Sequence, residues 1–480
     1  MKHAFLKFVK IIGFLILLGV ALYGISTIVQ PDRSSRPWDV SAKINGFYEL
    51  EENSLDVVFV GSSHAFCTFD PYIFQKEAGI KSYVFATNQQ PLSVTYFYIK
   101  EVLKHQNPKA IVLELLYISE KEEYITPKMI HFAADNLPWN KNKYDLLNVN
   151  LANKNIFEFS AIYNYHDRWK ELDYSNFHPK KSLKFFGFTP LYQKEKKTLL
   201  FGNFKPIPLP QKSREYLDKI IQLTKENNIE LIFTYAPFYS AKEERQSHLA
   251  TAAKIAKNNQ IDFINYMDKE LLDEINFNIT TDFDGWHTNV YGAHKISKHL
   301  AEHLQTKFNF DKTRNFSEYK LVEEYYEMAD SLPKIKKLNN YINYLSDKDV
   351  YIAIAVKDAA SKYMSNQLTP LGSQVDWKDA EKYSYIGLFN PAKDFKFEYL
   401  TQPSIHKRFP ISSKKSFGLQ IKSAGAVSGN YAEIYINERG NILKNKAKRG
   451  INLVIYNANM DSVLDIASFD TYKEKNPEKY

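Results

Sequence analysis

Cysteine is nearly absent, with one residue, Cys67, in a chain of 480. That excludes an intrachain disulfide framework and any zinc site built on several thiolates. Glycine (17) and proline (19) are too sparse for a collagen-like or proline-rich chain. Charge of one sign is not in large excess: 63 Lys and Arg against 55 Asp and Glu leave +8, spread along the chain. So small and diffuse a surplus does not argue for nucleic acid, although it suits an anionic surface. Long apolar runs are scarce as well. There is one, IIGFLILLGVALYGISTIVQ at 11–30, and no second of its length.

What is present is globular in character, 44% hydrophobic and 25% charged, with aromatics (33 Tyr, 33 Phe, 5 Trp) plentiful. A single core stops growing near roughly 250–300 residues, so two folded units are expected. The run at 11–30 carries no charge, and twenty residues at about 1.5 Å each span about 30 Å, the hydrocarbon thickness of a bilayer. Lys2, Lys7 and Lys10 precede it, while Asp32, Arg33 and Arg36 follow. This favours a cytoplasmic segment at 1–10, one transmembrane anchor at 11–30 and an extracytoplasmic body. A cleavable signal peptide is the competing reading, but the run is long for one and no small-x-small site follows it. Cysteine poverty in an exported chain is compatible with a bacterial cell-envelope protein.

From 55 to 118 the pattern alternates. LDVVFVG (55–61), KSYVFAT (81–87) and AIVLELLYI (110–118) read as strands, with helices at 70–79 and 93–106 between them. The rhythm resumes with a helix at 213–228, a strand at 229–237, a helix near 241–258, a strand at 261–267 and a last helix near 290–306. Strands alternating with helices imply an α/β fold with a parallel sheet covered on both faces. Residues 119–212 break the rhythm and read as an insertion capping one end of the sheet. Residues 308–335 are polar and read as a linker. Beyond them, 336–472 is rich in strand-like runs (349–357, 383–389, 416–425, 430–440 and 450–458), with a charged tail at 473–480.

The first strand runs into Gly61-Ser62-Ser63-His64. A serine on a tight turn at a strand's carboxyl end projects its hydroxyl where open α/β sheets bind ligands. Near the end of this region stands Thr281-Asp282-Phe283-Asp284-Gly285-Trp286-His287-Thr288-Asn289. An Asp three residues before a His on a loop can orient the imidazole, which then takes a proton from a serine. Neighbouring His64 and Cys67 read as packing residues. His287 and His294 with Asp282 and Asp284 can be drawn together on paper as a metal site. The serine reading uses Asp284 and His287 with fewer assumptions and needs neither metal nor cofactor.

The order Ser, Asp, His, with acid and base three apart near the carboxyl end, resembles the SGNH (GDSL-type) hydrolase superfamily across 52–307. The match is closest to its DltD-like membrane-anchored branch, that of the D-alanyl-lipoteichoic acid proteins. The resemblance implies a three-layer sandwich around a parallel sheet and a triad of Ser63, Asp284 and His287, with Ser62 as the minor alternative nucleophile. It departs from the family at both oxyanion blocks: Ala86-Thr87-Asn88-Gln89-Gln90 replaces the Gly block, and Glu114-Leu115-Leu116-Tyr117 the Asn block. Asn88 or Gln90 is the candidate replacement donor. The implied activity is that of a serine esterase or O-acyltransferase working on acyl esters of an envelope glycan or teichoic-type polymer. A membrane-bound O-acyltransferase is the implied partner. The alternative is a non-catalytic glycan-binding or scaffolding protein on a degenerate hydrolase fold.

In the carboxyl-terminal region, Lys448-Arg449-Gly450-Ile451-Asn452-Leu453-Val454, Ser468-Phe469-Asp470 and the stretch 350–373 resemble the interleukin-like EMT inducer (ILEI) domain. The Arg-Gly-Ile-Asn segment comes last here, so the resemblance implies a circular permutation. Carbohydrate binding is its implied role, with a structural spacer as the alternative.

Overall fold

The computed structural model describes residues 2–31, 40–121, 124–151, 159–172, 177, 185–239, 242–360, 364–410, 418–436, 442–443, 446–472 and 474–480. Asp32, Arg33 and Arg36, whose charges entered the topology argument, lie outside the described residues. The chain divides into two compact units, Met1–Leu172 with Pro179–Tyr319, and Lys320–Tyr480 with Asp173–His178.

The first unit opens with α1 (Lys2–Val29). Its apolar stretch Phe5–Val29 has a mean hydropathy of 2.4, and its most apolar eighteen-residue window has no buried residue, which fits a membrane anchor or a signal sequence. Helix α2 (Val40–Tyr48) follows. The α/β core then runs β1 (Val57–Val60), α3 (Ser63–Thr68), α4 (Pro71–Ala78), β2 (Ser82–Val84), α5 (Leu92–His105) and β3 (Ala110–Glu114). Residues 119–212 contribute α6 (Pro127–Ala134), α7 (Lys141–Asn150) and α8 (Ala161–Tyr165). The core resumes with α9 (Gln211–Glu226), β4 (Glu230–Tyr235), α10 (Glu243–Asn259), β5 (Asp262–Asn265), α11 (Lys269–Glu274) and α12 (Val290–Phe308).

The five strands form one parallel sheet in the order β2-β1-β3-β4-β5. β1 and β3 are buried along their whole lengths, as strands covered on both faces must be. That is why they appear in the sequence as unbroken apolar runs. The right-handed crossovers expected of parallel strands place α5, α9 and α10 on one face of the sheet and α4 and α12 on the other, in keeping with the packing of α5 on α9, the Lys225–Asn259 bond between α9 and α10, and the packing of α4 on α12. From β1 the chain steps to β2 and then returns past β1 to β3. The winding therefore reverses between β1 and β3, and the crevice at their carboxyl ends is the natural ligand site of such a sheet. The apolar run at 110–118 stops being strand at Glu114 and continues as a 3-10 turn, Leu116–Ser119.

Residues 308–335 are not a free connector. In the first unit Arg314 pairs with Asp56 at 2.9 Å, Lys81 with Glu318 at 2.8 Å, and Tyr319 is buried. The helical stretch α13 (Lys320–Ser331) belongs to the second unit, where it buries Val322, Tyr325 and Met328. Polar composition concealed this because each apolar residue there is separated by charged ones on the opposite helix face.

The second unit continues with α14 (Leu338–Leu345), β6 (Tyr351–Asp358), α15 (Met364–Leu368), β7 (Ser384–Asn390), β8 (Phe395–Thr401) and β9 (Ile405–Phe409). It closes with β10 (Leu419–Gly425), β11 (Tyr431–Ile436), β12 (Gly450–Asn457) and β13 (Ser462–Phe469). The strands pair antiparallel except for a two-residue parallel contact between β6 and β10. One edge of β6 takes β12, while the other is shared by β7 and β10, so the sheet forks around a core that includes Ile386, Leu388, Ile421, Ile434 and Val454. The charged tail is docked: Leu338 N–H donates to Pro477 O at 3.1 Å, and Lys479 N–H to Lys336 O at 2.7 Å.

Candidate active site

The nucleophile turn follows directly from β1. Gly61 has φ +144°, and a Cβ there would stand 2.9 Å from the Cβ of Glu114, so only glycine lets the turn lie this close to β3. Ser62 caps α3, its Oγ accepting the His64 N–H at 3.3 Å and donating to Glu114 Oε2 at 3.0 Å. Ser62 is thus buried and fully engaged, which leaves Ser63 as the half-buried serine whose hydroxyl faces outward.

The Asp-x-x-His loop is a tight turn built by the Asp itself. Asp284 Oδ1 accepts the backbone N–H of Trp286 at 2.8 Å and of His287 at 2.6 Å, and Asp284 N–H donates to His287 O at 2.9 Å. This is the side-chain-to-backbone bonding that favours Asp in turns. Asn289 then caps α12, accepting from Tyr291 and Gly292 N–H at 3.1 and 3.3 Å. A Cβ at Gly292 would lie 2.3 Å from Asp282 O, so the helix start is pressed against the loop it anchors.

Between these two pieces, His287 Nε2 lies 3.0 Å from Ser63 Oγ. His287 Nδ1 faces Asp284 Oδ1 at 3.9 Å, within ion-pair distance. Burial by itself would raise the Asp284 carboxyl, but the facing His287 side chain and the hydrogen bonds from the Trp286 and His287 backbone outweigh it and hold the group below its ordinary value. Asp284 therefore stays ionised beside the imidazole. His64 packs against His287 with ring centroids 4.6 Å apart, and burial drives its pKa down, with His287 and Arg245 adding to the effect. Burial pushes the Cys67 thiol well up, so Cys67 is no thiolate nucleophile. The remaining members of the paper metal set look elsewhere: His294 pairs with Asp70 at 3.0 Å and Lys295 with Asp282 at 2.6 Å. No group of three or more His, Cys, Asp or Glu among the described residues could hold a metal ion.

Ser63 and His287 lie in a cavity of about 410 Å³, which Asn88 and Gln89 line from the loop after β2 and Met129 and Phe132 from α6 of the insertion. The volume falls in the usual range for small-ligand sites. The two oxyanion candidates part company here. Asn88 lines the cavity, and its Oδ1 has no hydrogen-bond partner among the described residues. A half-turn of that amide would present its NH₂ instead. Gln90 is buried and spent on its own loop, with Oε1 accepting from Thr87 N–H and Oγ1 at 3.0 and 2.8 Å and Nε2 donating to Thr95 Oγ1 at 3.0 Å.

The sequence reading missed two supports. In the sequence Glu114 stands out only as a departure from a family block, yet it underlies the nucleophile turn. The return segment of the insertion also braces the site: Thr189 N–H donates to Phe66 O at 2.7 Å, Glu195 N–H to Phe283 O at 2.9 Å, and Val290 N–H to Leu191 O at 2.7 Å. These are backbone bonds from an irregular segment, and no side-chain pattern announces them.

No family model matches the chain, and no curated protein matches it. Among solved structures 13 chains match. One is a Bacteroides fragilis NCTC 9343 protein provisionally assigned as an acylhydrolase, at 14% identity and TM-score 0.29, covering 55% of this chain and 94% of that one. Another is an acetyl xylan esterase from the rumen bacterium Butyrivibrio proteoclasticus, at 11% identity and TM-score 0.23, covering 54% and 66%. With scores this low, the likeness assigns neither activity nor substrate.

Proposed function

We propose that this chain is a serine enzyme of SGNH type acting on acyl esters, with Ser63 as nucleophile, His287 as base and Asp284 orienting His287. The observation that carries the reading is the 3.0 Å contact between Ser63 Oγ and His287 Nε2, made by residues 224 positions apart. A degenerate, non-catalytic fold has no need of that alignment inside an open cavity. Ser63 Oγ would attack the acyl carbonyl as its proton passes to His287 Nε2. The Asn88 amide and the Ser63 N–H are the candidate donors to the oxyanion. Collapse of the tetrahedral intermediate would expel the alcohol, which takes the proton back from His287 and leaves an acyl-enzyme. Water would then complete an esterase cycle, and a sugar hydroxyl would complete an O-acyltransferase cycle.

The apolar walls given by Met129 and Phe132 suit a short acyl group. We extend the reading to an extracytoplasmic enzyme anchored by residues 11–30, acting on an envelope glycan or teichoic-type polymer beside a membrane-bound O-acyltransferase. In this reading the second unit is a permuted ILEI-like module that holds carbohydrate. The deciding experiment is labelling of the full chain with a fluorophosphonate probe, alongside turnover of short acyl esters. Labelling at Ser63 that is lost in Ser63→Ala and in His287→Ala supports the enzyme. A folded wild type that neither labels nor turns over esters overturns it in favour of the glycan-binding alternative.

A further inference from the structure

Glu114 ends β3 directly behind the nucleophile turn, and no catalytic step above uses it. Its side chain is buried, and no lysine or arginine pairs with it among the described residues. Burying a carboxylate without a cation is costly unless hydrogen bonds replace its water. Here they do. Ser62 Oγ donates to Oε2 at 3.0 Å and Leu116 N–H to Oε1 at 2.9 Å, and the Ala236 and Ser62 backbone also favours the ionised carboxyl. Ser62 Oγ in turn accepts from His64 N–H at 3.3 Å. The donors thus run one way, from His64 N–H through the Ser62 hydroxyl to the carboxylate, and both chain neighbours of Ser63 belong to that relay.

We propose that Glu114 is a positioning residue, which fixes, through the Ser62 hydroxyl, the turn that presents Ser63 Oγ to His287. This rests on the reading of Ser63 as nucleophile and adds to it what sets that nucleophile's geometry. The titratable side chains facing Glu114 are Tyr117 beyond β3 and Tyr235 on β4, with Arg245 on α10 donating to Leu116 O at 2.8 Å, while His64 on α3 reaches the relay only through its backbone N–H. Burial raises both tyrosines and lowers His64, so these three are neutral near pH 7. Burial also pushes Glu114 up, to about 7, with the Ser62 hydroxyl and the Leu116, Ala236 and Ser62 backbone opposing it. A proton on Glu114 turns one acceptor into a donor and breaks the one-way chain at Ser62.

The test is the rate of fluorophosphonate labelling of Ser63 in the full chain between pH 5.5 and 9, for wild type, E114A, E114Q, S62A and E114A/S62A. At pH 8 we expect E114A and S62A each to slow labelling by about tenfold or more, as a misplaced nucleophile should. The double variant should be no more than about twofold slower than the worse single one, because both act through one link. E114Q, which cannot ionise at this position, should show a pH profile across neutrality that differs from that of wild type. Folded E114A and S62A that label at the wild-type rate, or an E114Q profile that superimposes on wild type, would overturn the proposal. If E114A does not fold, S62A and E114Q decide. A labelled wild type with indifferent variants removes only the role of Glu114, whereas an unlabelled wild type removes the nucleophile reading and this role with it.

Discussion

Thr288, the residue after His287, donates its hydroxyl to the Cys67 carbonyl at 2.9 Å, and its Oγ1 also lies 2.9 Å from Thr68 Oγ1. Cys67 and Thr68 close the short helix that Ser63 opens. Base and nucleophile are therefore fastened to each other twice, once through their own side chains and once through this buried hydroxyl pair. Thr288→Val keeps the shape and removes the hydroxyl. It should cost about 1–3 kcal/mol of stability, the usual price of leaving buried polar partners unmet. It should also slow labelling of Ser63 severalfold, because His287 loses its register. Thermal melts and labelling rates, measured together, check both effects.

Asp284 does two jobs that one substitution can separate. Its Oδ1 holds the Trp286 and His287 N–H groups, and its charge faces His287 Nδ1. Asp284→Asn keeps an oxygen acceptor for the turn and removes the charge. Ester turnover should fall by about 10²- to 10⁴-fold with little change in melting temperature. Asp284→Ala should lose the turn as well, adding about 1–2 kcal/mol of destabilisation. Equal melting temperatures for the two variants would mean that the turn does not depend on the carboxyl oxygen.

Asn88 and Gln90 should separate in opposite senses. Asn88→Ala removes an amide that has an unpartnered oxygen in the cavity. Turnover should drop by about 10²- to 10³-fold, the cost of one oxyanion donor, with stability unchanged. Gln90→Ala strips a buried loop of three hydrogen bonds. Its first effect should be a lower melting temperature, by the equivalent of about 1–3 kcal/mol. A Gln90 variant with wild-type stability but lost turnover would reverse the assignment of the two residues.

The parallel sheet was legible because burial on both faces forces unbroken apolar runs such as Val57–Val60 and Ala110–Glu114. Strands β8 and β9 were not, since FKFEYLT and IHKRF are exposed or half-buried except at Phe409 and their lysines and arginine dilute the apolar signal. At the site, Ser63, Asp284 and His287 could be named because each chemistry demands its residue type at a fixed place in the turn. Glu114 could not be singled out, because its importance lies in contacts with Ser62 and Gly61, which are 52 and 53 positions away in the chain. Spacing carries no trace of that. Asn88 and Gln90 looked interchangeable in the sequence for a similar reason. Which amide faces the cavity depends on the turn at 88–89, where Gln89 adopts φ +52°.

Glu114 also fixes a pH dependence whose sign can be worked out. Its carboxyl titrates at about 7 in the folded chain against a reference value of 4.5, chiefly through burial. Below about pH 4 both states carry the proton and the group contributes nothing. Between there and pH 7 the unfolded chain releases its proton while the folded chain keeps it, so stability falls as pH rises. The slope approaches about 1.4 kcal/mol per pH unit and the loss levels off at about 3 kcal/mol above neutrality. Glu114→Gln lacks this term. Its melting temperature relative to wild type should therefore climb steadily from pH 5 to pH 7.5 and then flatten. Parallel melting curves for the two proteins across that window would mean that Glu114 is already ionised at pH 5, and that its donors outweigh its burial.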